Sequence, residues 1–334
     1  MRALVVPRFG AEATFEPAEL PAPDLKPGCA LVRVVSAGVN PIDCKLMRHG
    51  GALAPAAPAV LGSDFAGVIE KVAPDVSSFA AGDAVFGCAG GVAGMPGGSL
   101  AEAMAVDVRL MARMPRSLSF REAAALPLVA ITAQEGLDRA ALRAGQKLLV
   151  FGGAGGVGHI AVQLGKYRGA YVVATTQARK AAIAAGFGAD ELFAHDAFPR
   201  DFFDVVFDAA GQDSIEPAVA AAKNNGHIVA ISGRTGQNLQ AAAKKGLSFH
   251  FIFMILPMLT GAGRDAHGRI LKNIAAIADE GVLRPLVDRR RFSWEDAGAA
   301  YSLVETRDAT GKIVIDLDPS RADLKPDDLH GVKR

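Results

Sequence analysis

The sequence predicts an α/β protein in two parts, a doubly wound parallel sheet and a separate β-rich region. Three observations predict this class. First, the 334 residues are too many for one ordinary domain and about right for two. Second, the pattern changes near residue 125 from short β-rich runs to alternating strands and helices. Third, a glycine-rich stretch joins one of those strands to a helix. Half of the residues are hydrophobic, which suffices for a large core.

Composition argues against several function classes. Basic and acidic residues nearly balance, 36 against 35, which gives no support to nucleic acid or an anionic membrane as a partner. Cys29, Cys44 and Cys88 form no CxxC pair, so neither a disulfide framework nor a zinc cluster is indicated. The apolar run at the N-terminus is too short for a signal peptide. The apolar stretch 247–259 is shorter than the ~20 residues of a membrane helix. We therefore expect a cytoplasmic protein.

The region before residue 125 is typical of an irregular small barrel. Strand-like runs at 30–39, 64–73 and 82–87 are separated by prolines and glycines. The late run "KIVIDL" has no parallel-sheet neighbour in the sequence, so we place it back in this first region. The last sixteen residues are polar and contain prolines, and we expect them to pack weakly.

From Lys147 onwards apolar strands alternate with helices. Because the strands are apolar on both faces, they predict a parallel sheet covered on both sides. The strand candidates are "KLLVF", "YVVATT", "DELFAH", "FDVVFDAA", "GHIVAISG" and "LSFHFIFM".

A complete G-x-G-x-x-G motif lies between the first of these strands and its helix. Glycines let a backbone approach closely, and the N–H groups and dipole at a helix N-terminus attract a pyrophosphate. The expected cofactor-binding residues are Gly153, Gly155, Gly156, Val157 and Gly158. Gly211 and Gly233 end two later strands at the carboxyl edge, where dinucleotides lie. The alternative is a flexible glycine loop that matches by chance.

The second strand of the alternating region favours NADPH over NADH. An acidic residue there would hold a ribose hydroxyl of NAD, but "ATTQARK" has none. It offers Thr175, Thr176, Arg179 and Lys180, which suit a 2′-phosphate. The alternative is that the two cations form an ordinary solvated first turn of a helix.

Several stretches in order resemble a known family. They are "GVNPIDCKLMRHG", "LGSDFAGVIEKV", "GDAVFG", "GGSLAEAMAVD", "AAALPLVAITAQEGL", "GGAGGVGHIAVQLGK" and "GKIVIDL". The chain resembles the medium-chain dehydrogenase/reductase superfamily, in its zinc-free quinone oxidoreductase (zeta-crystallin-like) branch. This resemblance implies a GroES-like catalytic domain over 1–124, a Rossmann domain over 125–262 and a return to the catalytic domain over 263–334. It also implies an active site in the cleft between the domains and a homodimer joined through Rossmann edge strands, with 249–256 as the interface strand.

The resemblance also predicts that no metal is bound. Zinc-dependent relatives carry a cysteine in the place of Asn40 and a His-Glu pair in the place of Ser63 and Asp64. Asparagine and serine are poor zinc ligands, and Asp64 alone cannot hold a metal. No set of four cysteines is present for a structural zinc.

The resemblance assigns roles to three further positions. Asn40 is expected beside the nicotinamide and the substrate, where its amide can donate to a carbonyl oxygen. Thr132 is expected to contact the nicotinamide end, and His195 a cofactor phosphate. The alternative for Asn40 is a turn residue before Pro41. We interpret Asp43 as a helix cap rather than a catalytic residue.

These expectations describe an NADPH-dependent oxidoreductase that transfers hydride to a quinone or an α,β-unsaturated carbonyl without a metal. Two alternatives remain open. One is an enoyl-thioester reductase, although the "GVNPID" segment lacks the tyrosine that such enzymes carry there. The other is a protein that binds NADPH without turnover.

Overall fold

The computed structural model describes residues 1–194, 197–211, 215–232 and 239–331. Backbone contacts divide the chain into two units. The first contains Met1–Leu128, Ile255–Gly281 and Pro285–Arg334, and the second contains Val129–Met254 and Val282–Arg284. Compared with the predicted boundaries, residues 125–128 and 255–262 group with the first unit. Side-chain contacts explain this, because Leu128 N donates to Asp64 and Met258 Sδ lies 3.9 Å from Cys88 Sγ.

Strands occur in both units. In chain order they are β1 (Arg2–Val6), β2 (Glu16–Glu19), β3 (Cys29–Val39), β4 (Ala59–Val60), β5 (Asp64–Val72), β6 (Ala84–Cys88), β7 (Ala103–Asp107), β8 (Met111–Arg113), β9 (Lys147–Phe151), β10 (Tyr171–Thr175), β11 (Glu191–Phe193), β12 (Phe203–Asp208), β13 (Ala222–Ala230), β14 (Ser248–Phe251) and β15 (Ile313–Asp316).

The helices are shorter than ten residues in most cases. They are α1 (Pro41–His49), α2 (Phe120–Ala124), α3 (Pro127–Arg139), α4 (Gly158–Tyr167), α5 (Ala181–Ala185), α6 (Glu216–Ala221), α7 (Gln240–Lys244), α8 (Leu256–Thr260), α9 (Arg264–Asp279) and α10 (Ala297–Glu305). Three-residue 3₁₀ turns cover Val108–Leu110 and Ala178–Lys180, and a longer one covers Pro326–Gly331.

The second unit is a doubly wound parallel sheet. Its strand order is β11-β10-β9-β12-β13-β14, and every neighbouring pair is parallel. Numbered from β9, this is the order 3-2-1-4-5-6 of a Rossmann fold, which confirms the predicted class. The central strands β9 and β12 are mostly apolar and buried, and Leu149, Phe151 and Val206 belong to one hydrophobic core. The order reverses between β9 and β12, and ligands of such sheets bind outside the carboxyl ends at this point.

The first unit is built on antiparallel strands. Its main sheet has the order β15-β3-β5-β6-β8, with β7 also paired to β3. A smaller sheet has the order β2-β1-β4. The late strand β15 pairs antiparallel with β3, and its register sets Ile313 opposite Val39. This long-range pairing brings the end of the chain back beside the segment that follows β3.

The prediction that the chain end packs weakly is wrong at Ala322 and Leu324, although residues 319, 320, 323 and 325 around them are exposed. Ala322 is fully buried. The carbonyl groups of Ala322 and Leu324 accept from the backbone N–H groups of Arg121 and Phe120. These two residues form the first turn of α2, whose N–H groups have no acceptor within the helix. The tail packs because it supplies those missing acceptors, a need that its own polar composition does not reveal.

Candidate functional site

The glycine turn between β9 and α4 is shaped by backbone contacts that a side chain would block. Gly152 has φ +76°, in the left-handed region that favours glycine. A Cβ on Gly158 would lie 2.0 Å from the Gly152 carbonyl oxygen, and one on Gly153 would lie 2.5 Å from Cβ of Ala174. The turn can therefore fold against its own strand and against β10 only because these positions are glycine.

The start of α4 fits a pyrophosphate. Val157 is the N-cap residue and its side chain makes no cap hydrogen bond. The backbone from Gly155 to Val157 is half-buried, so it is open to a ligand. The N–H groups of His159, Ile160 and Ala161 donate to carbonyl oxygens of Gly155 and Val157, so the donors left for an anion are the backbone N–H groups of 156–158, just before them. The residues present therefore fit the phosphate end of a dinucleotide.

The carboxyl end of β12 lies beside the same turn. Asp208 Oδ1 accepts from Ala210 N at 3.1 Å and from Gly211 N at 3.2 Å, which forms a tight bend. Gly211 has φ +65°. A Cβ on Gly152 would lie 3.4 Å from Ala210, so the bend and the glycine turn are neighbours. Gly211 thus lies at the expected edge, whereas Gly233 and His195 fall outside the described residues.

The predicted 2′-phosphate residues differ in what their side chains contact. The buried hydroxyl of Thr175 accepts from Gly152 N at 3.3 Å, so it supports the glycine turn. Thr176 is also buried, and its hydroxyl lies 3.5 Å from the Gln177 carbonyl oxygen. Arg179 is exposed, and its Nε donates to the side chain of Gln177 at 3.0 Å. The structure thus leaves the exposed Arg179 and the half-buried Lys180 as the cations at the end of β10.

Asn40 lies in the first unit, at the junction of β3 and α1. Its backbone is extended, with φ −123° and ψ 154°, because Pro41 begins the helix. Asp43 Oδ2 accepts from Asn40 N at 2.8 Å, which confirms that Asp43 caps the helix. The Asn40 side chain is fully buried and points to other elements. Its Nδ2 donates to Asp64 Oδ2 at 2.9 Å, and its Oδ1 accepts from Lys312 Nζ. Asn40 is therefore more than a turn residue before a proline.

We call Asn40, Asp43, Ser63, Asp64 and Lys312 the buried polar cluster. Each has a fully or almost fully buried side chain. Ser63 Oγ donates to Asp43 Oδ1 at 2.9 Å, and Leu128 N donates to Asp64 Oδ1 at 2.9 Å. Lys312 Nζ also donates to the Val39 carbonyl oxygen at 2.9 Å and lies 3.7 Å from Asp64 Oδ2. Every charged group of the cluster is thus held by hydrogen bonds, as burial requires.

Burial shifts the titration of all three ionisable members of the buried polar cluster. It raises the pKa of Asp43 to about 7, against the opposing effect of the Asn40 N–H group. It also raises the pKa of Asp64, although the Lys312 ammonium acts in the opposite direction. It lowers the pKa of Lys312, which the two carboxylates oppose. Of the two carboxyl groups only Asp64 lies close to the Lys312 ammonium, and the raised pKa of Asp43 favours its protonated form.

The buried polar cluster does not fit a zinc ion. Zinc prefers thiolate, imidazole and carboxylate ligands; none of the five residues supplies a thiolate or an imidazole, and both carboxylates already accept hydrogen bonds from other protein groups. The amide oxygen is already bonded to the Lys312 ammonium, and a metal beside that ammonium would meet its positive charge. Across the parts of the chain that the structure describes, no group of three or more His, Cys, Asp or Glu side chains is arranged to hold a metal.

Thr132, the other predicted catalytic residue, lies in α3 within the second unit and is buried. Asn40, by contrast, belongs to the first unit.

Sequence reasoning missed Lys312. This lysine precedes β15 in "GKIVIDL" and looks there like the polar first residue of an apolar strand. A signal was present, because lysine is seldom buried unless it is paired, and Lys312 directly precedes three apolar residues of β15.

No helix among residues 1–194, 197–211, 215–232 and 239–331 is long and apolar enough to cross a membrane.

Comparison with known proteins gives matches over both units. The alcohol dehydrogenase GroES-like domain matches residues 26–116, and the zinc-binding dehydrogenase family matches residues 187–315. The match to the first family confirms the GroES-like class of the first unit.

Two curated relatives are reductases of conjugated carbonyls by name. The 2-methylene-furan-3-one reductase of Solanum lycopersicum is 37% identical over 308 residues, 88% of this chain and 73% of the relative. The chloroplastic NADPH-dependent alkenal/one oxidoreductase of Arabidopsis thaliana is 35% identical over 307 residues, 88% of this chain and 73% of the relative.

Solved structures share the fold over nearly the whole chain. An alcohol dehydrogenase superfamily protein from Novosphingobium aromaticivorans has a TM-score of 0.90 and 37% identity, covering 95% of this chain and 99% of its own. The quinone oxidoreductase from Coxiella burnetii has a TM-score of 0.78 and 26% identity, covering 95% and 99%.

Proposed function

Since the chain belongs to the medium-chain dehydrogenase/reductase superfamily of nicotinamide-dependent oxidoreductases, in its quinone oxidoreductase branch, we propose that it reduces quinones or α,β-unsaturated carbonyls with NADPH. The observation that carries this proposal is the buried amide of Asn40, held by Asp64 and Lys312. A hydrogen-bond donor of this kind stabilises negative charge on an oxygen, which is what reduction of a conjugated carbonyl requires.

The relatives support an enone or a quinone as the substrate class. Two of them are named as reductases of a methylene-furanone and of alkenals or enones, and a third is named as a quinone oxidoreductase. In all three substrate types a carbonyl oxygen is conjugated to a carbon–carbon double bond. The shared chemistry is therefore hydride addition to a conjugated system, with the charge taken up at oxygen.

The cofactor would be held mainly by backbone groups of the second unit. The glycine turn and the N-terminus of α4 would bind the pyrophosphate, and Gly211 would border the cofactor at the end of β12. Arg179 and Lys180 suit a 2′-phosphate, and the name of one relative includes NADPH. Thr132 is proposed to contact the nicotinamide end. When bound, the reduced nicotinamide supplies a hydride.

Asn40 is proposed to polarise the acceptor. As hydride adds to the β-carbon of an enone, the electron pair of the double bond moves toward the carbonyl oxygen and leaves an enolate. The Asn40 Nδ2 group carries two hydrogens, of which Asp64 accepts one, so the second can donate to that oxygen. A proton from water or from a nearby acid then completes the α-carbon. Reduction of a quinone likewise consumes one hydride and one proton, and the proton is taken up at oxygen.

The reaction is proposed to need no metal, because the buried polar cluster offers poor zinc ligands and already holds a cation. Purified protein treated with a chelator should contain no stoichiometric zinc and should keep its activity. Loss of activity that added zinc restores would contradict this part of the proposal.

A parallel assay tests the function. NADPH oxidation is followed at equal concentrations of 1,4-benzoquinone, a simple enone and crotonyl-CoA, with NADH as the matched cofactor. We expect turnover with the quinone or the enone to exceed turnover with the thioester. Preferred reduction of crotonyl-CoA would indicate an enoyl-thioester reductase. NADPH binding without turnover of any acceptor would indicate a binding protein instead of an enzyme.

A homodimer joined at the edge strand β14 is part of the proposal. This strand ends the parallel sheet and presents the exposed ring of Phe251, 57% accessible, and Phe253, 48% accessible, follows it. Apolar edge strands are ready to pair with another chain. Light scattering on the purified protein should give twice the chain mass, and Phe251→Lys should shift the equilibrium toward the monomer.

A further inference from the structure

Lys312 belongs to the buried polar cluster, but its side chain is needed neither to cap a helix nor to form a sheet. Its ammonium is buried, yet it faces three acceptors: the Val39 carbonyl oxygen, Asn40 Oδ1 and Asp64 Oδ2. Burying an ammonium is costly unless it is paired and hydrogen-bonded. A buried ion pair that served only packing could be replaced as a whole by apolar side chains at little cost. The contacts with Asn40 and Asp64 therefore indicate that Lys312 has a role beyond packing.

The strand pairing sets Lys312 opposite Asn40. The antiparallel register of β15 and β3 pairs Ile313 with Val39. The next residue on each strand is therefore Lys312 on one side and Asn40 on the other. Asp64, at the start of β5, pairs with Gly38 on the other side of β3. Asn40 thus leaves β3 between a strand that brings a cation and a strand that brings an anion.

These two neighbours permit one orientation of the Asn40 amide. The oxygen and nitrogen ends of a carboxamide are similar in size, so a half-turn exchanges them at little steric cost. Lys312 can only donate a hydrogen bond, and an ionised Asp64 can only accept one. A flipped amide would set its NH₂ group against the ammonium and its oxygen against the carboxylate. Both hydrogen bonds would be lost and replaced by repulsion.

Asp64 is itself fixed. Leu128 N donates to its Oδ1 at 2.9 Å, while its Oδ2 accepts from Asn40 at 2.9 Å. The carboxylate therefore cannot rotate to follow a displaced amide. The chain from Leu128 N through Asp64 and Asn40 to Lys312 is a continuous line of hydrogen bonds, and such chains polarise one another.

We propose that Lys312 and Asp64 are positioning residues that lock the Asn40 carboxamide with its free Nδ2 hydrogen toward the acceptor oxygen. This inference rests on the proposed function. The bond from Lys312 to the amide oxygen also draws electron density from the nitrogen, which makes the remaining N–H a stronger donor. The buried ammonium supplies positive charge in a cluster whose ligands do not suit zinc.

The test uses the full-length chain with Lys312→Met and with the double variant Lys312→Met/Asp64→Asn. The single variant leaves Asp64 without its cation and can lose stability, whereas the double variant removes both charges and keeps similar shapes. The matched control is Lys272→Met, since Lys272 is an exposed lysine of α9 in the same unit. Thermal unfolding and NADPH affinity are measured for each variant.

Steady-state kinetics separate positioning from a purely structural role. In the double variant we expect kcat to fall about 10- to 100-fold, the loss that is typical when the hydrogen-bond partners that orient a metal ligand are removed. The Kd for NADPH should stay within a few-fold, because the glycine turn is untouched. The control should keep the kcat of the original protein. A folded double variant with unchanged kcat would overturn the inference.

A second measurement reads the amide orientation without turnover. The chain has five asparagines, so a spectrum of side-chain amides from protein labelled with ¹⁵N-asparagine is simple, and Asn40→Ala assigns the signal. We expect the two Asn40 Nδ2 hydrogens to differ strongly in shift and to exchange slowly with water. In the double variant they should become similar and exchange faster. Unchanged amide signals in the double variant would overturn this inference, whether or not the protein reduces any acceptor. Inactivity of the original protein on all acceptors would instead overturn the proposed function.

Discussion

The glycine turn of the second unit and the buried polar cluster of the first unit are built in opposite ways. The turn consists of backbone atoms of residues 152–158, supported by the hydroxyl of Thr175; it contains no charged residue, and its shape requires that side chains are missing. The cluster consists of charged and polar side chains and joins residues up to 272 positions apart. A neutral backbone turn suits a phosphate group that many enzymes share. A charged cluster suits the particular oxygen on which one reaction develops charge.

The largest expected effect comes from Asn40→Ala. Removing a donor to a developing oxyanion lowers kcat by about 10²–10³-fold, or roughly 2.7–4 kcal/mol. NADPH affinity should stay within a few-fold, because the glycine turn lies in the other unit. Asn40→Asp should be at least as slow, since it brings an anion to the developing charge. Asn273→Ala, at an exposed asparagine of α9, is the control for kcat.

This prediction also has a clear failure. If Asn40→Ala keeps nearly full kcat on each acceptor that the original protein reduces, the cluster does not polarise the substrate. The donor would then be a backbone N–H group or a water molecule.

Gly158→Ala tests the other region. The added Cβ would lie 2.0 Å from the Gly152 carbonyl oxygen, so the turn itself must move. Overpacking of this kind costs roughly 1–3 kcal/mol, and we expect NADPH affinity to fall by up to about 100-fold. The control is Gly298→Ala in α10, where an added Cβ meets nothing within 4 Å. That change should raise stability by roughly 0.5–1 kcal/mol.

Titration calorimetry with NADPH and thermal unfolding measure both glycine variants. Equal NADPH affinity in Gly158→Ala and the original protein would show that the turn tolerates a side chain. The phosphate contact would then have to lie elsewhere.

The titratable groups of the buried polar cluster predict that the free energy of unfolding changes with pH. The glycine turn has no such groups and cannot cause this change. Burial raises the pKa of Asp43 to about 7 from its ordinary value of 3.8. The folded state thus favours the protonated carboxyl. This contribution is fully present below pH 4 and is lost as the pH rises toward 7, with a slope of about 1.4 kcal/mol per pH unit.

Urea unfolding between pH 4.5 and 8 measures this effect. In Asp43→Asn the loss of stability between pH 4.5 and 7 should be smaller than in the original protein. Asp288→Asn is the control, because hydrogen bonds from Arg290 lower the pKa of Asp288 to about 2. Its contribution is lost only as the pH falls toward 2, so this variant should be less stable by a constant amount across the range. Parallel pH profiles for Asp43→Asn and the original protein would contradict the shift at Asp43.

The same contrast explains what could be predicted from the sequence. The glycine turn and the strand alternation depend on neighbours in the chain, so local patterns reveal them. Lys312 acquires its contacts because β15 pairs with β3, and no local pattern carries that register. The hydroxyl of Thr175 supports Gly152 for a similar reason, since β10 and β9 meet only in the folded sheet. Asn40 could be predicted from a resemblance, but the partners that hold it could not.

The smallest expected effect concerns Arg179 and Lys180, the cations that follow β10. Here the glycine turn and the charged side chains are both proposed to contact the same cofactor. NADPH and NADH share the pyrophosphate and differ in the 2′-phosphate. The glycine turn should therefore bind both equally, and discrimination should come from Arg179 and Lys180. Because Arg179 is exposed, its contribution is screened by salt, and we expect Arg179→Ala/Lys180→Ala to weaken NADPH binding only about tenfold. NADH binding should change less than twofold, and the gap between the cofactors should narrow with added salt. The control is Arg143→Ala. Arg143 is exposed and lies before the amino end of β9, whereas Arg179 and Lys180 follow the carboxyl end of β10. Equal losses for NADPH and NADH, measured by calorimetry at two salt concentrations, would mean that the two cations only solvate the start of a helix. Specificity would then have to come from residues beyond this turn.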